Sequence, residues 1–132
     1  MAGRTVLVTG ASDGIGAEAA KVLASRGATV HVTGRSADKL RPIAEAVGTE
    51  PLVADFSRLD DVRRLAEQVA ERVESLDVLV NNAGGTFSPK KVTHDGHEPN
   101  FQVNHLAPFL LTHLLRPQLA KADGSLVVNT SS

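Results

Sequence analysis

The sequence predicts an α/β fold, a doubly wound parallel sheet, and three observations carry that reading. Apolar runs of strand length alternate with longer stretches of helical period along all 132 residues. The first strand-to-helix junction is rich in glycine, Thr9-Gly10-Ala11-Ser12-Asp13-Gly14-Ile15-Gly16. A second junction, Asn81-Asn82-Ala83-Gly84, follows another apolar run about seventy residues later. Strands separated by helices join in parallel through right-handed crossovers.

The elements follow in order. Thr5-Val6-Leu7-Val8 reads as the first strand, and Ile15, Ala19, Val22 and Leu23 give the next segment a helical face that ends at Gly27. Residues 28–33 read as a second strand. Ser36 is placed to cap a helix with apolar positions at Leu40, Ile43, Ala44 and Val47, closed by Gly48. Pro42 removes one donor inside it and predicts a kink. Pro51-Leu52-Val53-Ala54 forms a short third strand. Ser57 with Asp60 three residues later has the pattern of a capping box, opening a helix lined by Val62, Leu65, Ala66, Val69 and Val73. Residues 76–80 read as a fourth strand and residues 101–119 as an apolar helix distorted at Pro108 and Pro117. Asp123-Gly124 leads into a fifth strand over residues 125–130.

Composition narrows the function classes. The length suits a single domain with one core. A hydrophobic fraction of 42% and a charged fraction of 22% belong to a soluble globular chain. Fourteen Lys and Arg stand against fifteen Asp and Glu, for a net charge of −1 and no long run of either sign. That leaves no electrostatic footprint for nucleic acid or an anionic membrane. With no cysteine there is no disulfide framework and no thiolate metal site. No secretory signal or spanning segment is read, so the expected location is cytoplasmic.

The glycine-rich junction carries chemistry. Gly10 permits the tight turn out of the strand, Gly14 lets backbone approach a pyrophosphate, and Gly16 lets the helix pack closely. The N–H groups and the positive end of the helix dipole then face an anion. A carboxylate at the end of the second strand would hold ribose hydroxyls and repel an added phosphate. This chain has Thr33-Gly34-Arg35-Ser36 there, and no carboxylate before Asp38. Arg35 offers a planar donor fork suited to a phosphate monoester, and Ser36 a hydroxyl and an N–H.

The Thr-Gly-x-x-x-Gly-Ile-Gly spacing of residues 9–16, together with Asn81-Asn82-Ala83-Gly84, resembles the short-chain dehydrogenase/reductase family. The likeness runs from about Arg4 to the last residue. Residues 93–98 (Thr-His-Asp-Gly-His-Glu) and 104–112 (Asn-His-Leu-Ala-Pro-Phe-Leu-Leu-Thr) are similar to its retinol-dehydrogenase-like branch. The resemblance implies a Rossmann-type sheet of strand order 3-2-1-4-5, with a nicotinamide dinucleotide across the carboxyl ends of strands 1 and 4. It implies interconversion of a small-molecule carbonyl and alcohol by hydride transfer. Of the glycine loop, Gly10, Ser12, Asp13, Gly14, Ile15 and Gly16 are the implied cofactor residues. Asp55, opening Asp55-Phe56-Ser57, would accept from the adenine amino group, and Asn82, Ala83 and Gly84 would lie under the adenosine ribose, with Asn81 structural. Arg35 and Ser36 favour NADP(H). Against this, family members preferring NADP often carry another basic residue in the glycine loop, so NAD(H) stays open as the alternative.

For the chemistry, the resemblance implies that Asn104 helps its helix hold a water touching a catalytic lysine. It places the catalytic serine on Ser132, in Asn129-Thr130-Ser131-Ser132, hydrogen-bonded to the substrate carbonyl. The family's Tyr-x-x-x-Lys does not occur: the sequence has no tyrosine, and no lysine after Lys121. Residues 1–132 therefore read as a dinucleotide-binding domain, C-terminally incomplete relative to the family and lacking its last helices and strands. As it stands it is expected not to turn over. The alternative function is a non-catalytic dinucleotide-binding module or fragment. Two structural expectations follow: an unprotected edge at the fifth strand, and partial exposure of Leu110, Leu111, Leu114 and Leu115. Relatives of this type form homo-oligomers, which is the expectation for a full-length form. Residues 85–89, Gly-Thr-Phe-Ser-Pro, are what this chain would contribute to a substrate pocket. His94 and His97 with Asp95 form a weak third candidate, a metal site lacking a further ligand, and no metal is expected. His31, His105 and His113 read as ordinary strand and helix residues.

Overall fold

The computed structural model describes residues 1–88 and 90–131. Five strands form one parallel sheet in the order β3-β2-β1-β4-β5. They are β1 (Thr5–Val8), β2 (Thr29–Gly34), β3 (Leu52–Val53), β4 (Val78–Asn81) and β5 (Leu126–Asn129). Helices α1 (Gly14–Ser25), α2 (Ala37–Val47) and α3 (Leu59–Arg72) occupy the first three crossovers. The fourth runs through a short α4 (Pro99–Phe101), a π-turn (Gln102–Leu106), α5 (Ala107–Leu114) and α6 (Arg116–Lys121).

Side-chain alternation along the strands builds two cores, one on each face of the sheet. Val6, Val8, Val30 and Val32 point into one, packed with Ala20 of α1 and Leu40 and Ala44 of α2. Leu7, Leu79 and Leu52 point into the other, packed with Val62, Leu65 and Val69 of α3 and with Ala107, Leu111, Leu115 and Leu119. β1, central and fully buried along Val6–Val8, is flanked by β2 and β4 with their carboxyl ends level. The loops that leave those ends are the glycine-rich junction and the Asn-Asn-Ala-Gly segment. The order of strands reverses there, where an open sheet of this type forms a crevice.

Three local expectations are refined. Ser36 does cap α2, its hydroxyl accepting from the Lys39 N–H at 3.3 Å, and Gly48 closes the helix in the left-handed region at φ 82°. Pro42 is carried inside α2, which runs unbroken from Ala37 to Val47. Ser57 does not cap α3. The N-cap position is Arg58, and Ser57 instead gives both its N–H and its hydroxyl to Asp55 Oδ1, at 2.9 and 2.7 Å. A remote acceptor wins: Asp95 Oδ2 takes the Leu59 N–H at 2.8 Å across 36 residues of sequence.

The helix expected over residues 101–119 is interrupted at both anticipated places. Pro108 has no N–H to offer the preceding turn. Just before it the ladder widens, so that the Ala107 N–H bonds to the Gln102 carbonyl, five residues back. A break at Leu115 precedes Pro117 in the first turn of α6. Leu111 and Leu115 are fully buried, correcting the expectation for those two, while Leu110 and Leu114 are half-buried. β5 pairs with β4 and shows its other edge to solvent, with Leu126 56% exposed. No described helix is long and apolar enough to cross a membrane.

Candidate functional site

A cleft of about 500 Å³ lies over the carboxyl ends of β1, β2 and β4. Twelve of the thirteen residues read as cofactor-binding line it: Gly10, Ser12, Asp13, Gly14 and Ile15; Arg35 and Ser36; Asp55 and Phe56; and Asn82, Ala83 and Gly84. The thirteenth, Gly16, sits behind the wall. A Cβ at Gly16 would overlap the Gly10 carbonyl oxygen and Asn82 Nδ2, so this glycine lets α1 close on the turn and on the β4 loop together. Gly10 is constrained twice, by φ 61° and by an Ala83 Cα that a Cβ would meet at 2.7 Å.

Thr9 fastens the two motifs to each other. Its buried hydroxyl accepts from the N–H groups of Asn82 at 3.0 Å and Ala83 at 2.9 Å, and donates to the Val80 carbonyl at 3.3 Å. Asn82 Nδ2 returns a bond to the Gly10 carbonyl at 3.2 Å. Asn81 is structural: its amide donates to Thr112 Oγ1 at 3.1 Å and Asn129 Oδ1 at 3.0 Å, tying β4 to α5 and β5.

The N-terminus of α1 opens onto this cleft without a cap. Asp13 occupies the N-cap position but makes no side-chain cap, and the first turn contains no acidic residue. Among the described residues the N–H groups of Gly14, Ile15 and Gly16 have no acceptor. Ser12 Oγ, also at the cleft, is buried without a partner among the described residues. Three orphan N–H donors of a helix start, under the positive end of its dipole and beside the Ser12 hydroxyl, could hold an anion.

Two cations stand elsewhere on the rim. Arg35 follows β2, and Lys39, which sequence reading passed over, projects from the first turn of α2; both are exposed and line the cleft. Neither has an ion-pair partner among the described residues. Lys39 stands three residues after the N-cap Ser36, in the first turn of α2. At the neighbouring wall Asp55 is held by Ser57 through Oδ1, and its own N–H donates to Asp61 Oδ2 at 2.9 Å.

The last wall is the segment Gly85, Thr86 and Phe87. Asn104 does not reach the cleft. Its side chain accepts from the Gly85 N–H and donates to the Gly85 carbonyl, both at 2.9 Å, and Gly84 must lack a side chain for it to approach. Ser132 lies outside the described residues.

Residues 93–98 do structural work. Gln102 is fully buried in the π-turn, where its amide binds Thr93 Oγ1 at 2.6 Å, the Phe56 carbonyl at 3.1 Å and Asp95 Oδ2 at 3.1 Å. The Leu59 N–H, above all, holds the Asp95 carboxyl below the usual range; partial desolvation opposes it, while Gln102, His94 and His97 add to it. Glu98 is lowered chiefly by the Asn100 N–H. His94 and His97 are exposed, and among the described residues no three His, Cys, Asp or Glu side chains gather to hold a metal. Burial, with Arg72 adding to it, pushes the His31 imidazole down.

Comparison with known proteins places this geometry. Residues 4–132 match the family described as short chain dehydrogenase. A Streptomyces sp. (strain C5) protein named as a daunorubicin C-13 ketoreductase, DnrU, is 45% identical over 135 residues, covering 98% of this chain and 46% of its own length. Human retinol dehydrogenase 11 is 42% identical over 137 residues, covering 98% of this chain and 43% of its own. The chain thus spans less than half the length of these relatives. Among solved structures, the RhlG/NADP active-site complex of Pseudomonas aeruginosa superposes with a TM-score of 0.84 at 33% identity, over 98% of this chain and 54% of that one.

Proposed function

This chain belongs to the short chain dehydrogenase family, and from that premise we propose that its cleft binds NADP(H) for an oxidoreductase that interconverts a carbonyl and an alcohol. One observation carries the reading: the N-terminus of α1, where the Asp13 side chain makes no cap and the first turn holds no acidic residue, shares a cleft with Arg35 and Lys39, two cations without an ion-pair partner among the described residues. A dinucleotide has a pyrophosphate for the first. Only the phosphorylated form has a monoester for the second. The NADP held by the Pseudomonas relative supports the same choice.

The residues fit the group. The glycine-loop N–H groups would hold the pyrophosphate, and Arg35, Ser36 and Lys39 the ribose phosphate. Asp55 would take the adenine amino group, with Phe56 beside it, and Asn82, Ala83 and Gly84 would carry the adenosine ribose. When bound, the nicotinamide supplies a hydride acceptor or donor. Asn104 acts on this site through Gly85, keeping the cleft wall in place beside its own helix. Ser132, in the Asn-x-Ser-Ser pattern after β5, would donate to the substrate oxygen and stabilise charge developing there. The accompanying proton needs a phenol or an equivalent acid, and these 132 residues contain no tyrosine. We therefore assign the chain the cofactor-binding share of the reaction.

Arg35→Asp tests the phosphate assignment. NADPH affinity should fall relative to NADH by about tenfold or more, the worth of a charge-assisted bond replaced by repulsion. Titration of both nucleotides against both proteins gives the ratio. An unchanged ratio would mean that the rim cations do not read the phosphate.

A further inference from the structure

The cleft wall formed by Gly85, Thr86 and Phe87 is held in an unusual way. Asn104 takes both backbone groups of Gly85, as described above. Asn100 repeats the arrangement on Phe87: its Oδ1 accepts from the Phe87 N–H at 2.9 Å, and its Nδ2 donates to the Phe87 carbonyl at 2.8 Å. Two loop residues, two apart in sequence, thus present N–H and C=O to two asparagines four apart, one in α4 and one in the π-turn. The spacings agree, because the passage from α4 into the π-turn brings both amides within 2.9 Å of these backbone groups. The two amides imitate the edge of a neighbouring strand.

The orientation of Asn100 is fixed by its own partners. Glu98 Oε2 accepts from Asn100 Nδ2 and from the Asn100 N–H, each at 2.9 Å. A flipped amide would set its oxygen against two acceptors, the Glu98 carboxylate and the Phe87 carbonyl. The Phe87 ring packs against the core that includes residues of α3 and α5, which adds a second anchor to the same segment.

We infer that Asn100 is a positioning residue that, with Asn104, splints residues 85–87 and so sets the wall of the cleft. The inference rests on the dinucleotide reading for its effect on binding; the splint itself does not.

The test is backbone amide exchange by NMR on the 132-residue chain carrying Asn100→Ala, with calorimetric titration of NADP+. The Phe87 amide should exchange about tenfold faster, as for loss of one buried hydrogen bond, with Gly85 following and the β1 amides unchanged. NADP+ affinity should weaken several-fold. Should Asn100→Ala unfold the chain, Asn100→Asp carries the test, since it keeps the acceptor for the Phe87 N–H and loses only the donor. Its Phe87 exchange must still rise relative to the parent chain while the β1 amides stay unchanged, because the new oxygen faces the Phe87 carbonyl and the Glu98 carboxylate and pushes the pair apart. Unchanged exchange at Phe87 overturns the splint. Faster exchange with unchanged NADP+ affinity overturns the positioning role, provided that the parent chain binds NADP+. If the parent chain binds none, the dinucleotide reading fails and with it the effect on the site.

Discussion

Two helices leave the same edge of the sheet and begin in opposite ways. α1 starts beneath three glycines, with an N-cap aspartate that caps nothing and no acidic side chain in its first turn. α3 starts with Asp60 and Asp61 in its first turn, and with Asp95 brought from 36 residues away to take the Leu59 N–H. The second arrangement satisfies the helix from within the chain, as helices ordinarily require. The first leaves the N–H groups of Gly14, Ile15 and Gly16 open among the described residues. With one terminus closed from within the chain and its neighbour open, the open one is where we propose that the ligand binds.

The sharpest way to break the contrast is to fill the space that the open terminus needs. Gly16→Ala places a methyl group against the Gly10 carbonyl and the Asn82 amide. The Gly10 backbone must shift and the Asn82 side chain must give up its place, so we expect a loss of about 3 kcal/mol or more, together with nucleotide binding. Chemical denaturation and NADP+ titration would show it. A variant that binds NADP+ normally would mean that the close approach of α1 is dispensable.

A milder change makes α1 resemble α3. Ile15 is 73% exposed at the first turn, and Ile15→Glu adds the missing carboxylate. Stability should rise by about 0.3–1 kcal/mol through the helix dipole. NADP+ affinity should fall by about tenfold or more from like-charge repulsion. The two effects have opposite signs, and parallel changes would contradict an anion seat.

The smallest effect is expected from making α3 resemble α1. Asp95→Ala removes the acceptor of the Leu59 N–H and one partner of Gln102. The thermal midpoint should fall measurably while NADP+ affinity changes by less than about twofold. The Asp95 carboxyl is held below its ordinary value in the folded chain, chiefly by the Leu59 N–H. Its stabilisation is therefore present above the usual carboxylate range and lost as pH falls through the lowered value. The variant should show a flatter acid limb of stability against pH, and an unaltered limb would remove Asp95 from the account.

What sequence could and could not reveal follows the same division. The glycine spacing, the Asn-Asn-Ala-Gly junction and the alternation of elements are local patterns, and each reports a local backbone need. The alternation was sufficient for a parallel sheet, and the strand order and most of the residues that share the cleft came through the family resemblance that the two junctions carry. Ser57 with Asp60 is equally local, yet Asp95 displaced it, because a carboxylate that folding brings to the Leu59 N–H leaves no neighbouring pattern to read. Lys39, Asn100 and Gln102 were missed for a related reason. Each looks like an ordinary polar residue of a helix until the third dimension puts Arg35, Phe87 or Phe56 beside it. The helix over residues 101–119 is distorted near Pro108 and Pro117 as expected, but the form of the distortion was not legible, since proline predicts that a ladder must adjust and not that it will widen to a π-turn.

The hydroxyl of Thr9 has a kinetic consequence. By joining the β1 loop to the β4 loop before any ligand arrives, it moves the ordering of both from the moment of binding to the moment of folding. A nucleotide entering such a preorganised floor loses little of its affinity to loop entropy. Its residence time should then depend on the parts of the cleft that Thr9 does not reach: the exposed cations on the rim and the splinted wall opposite.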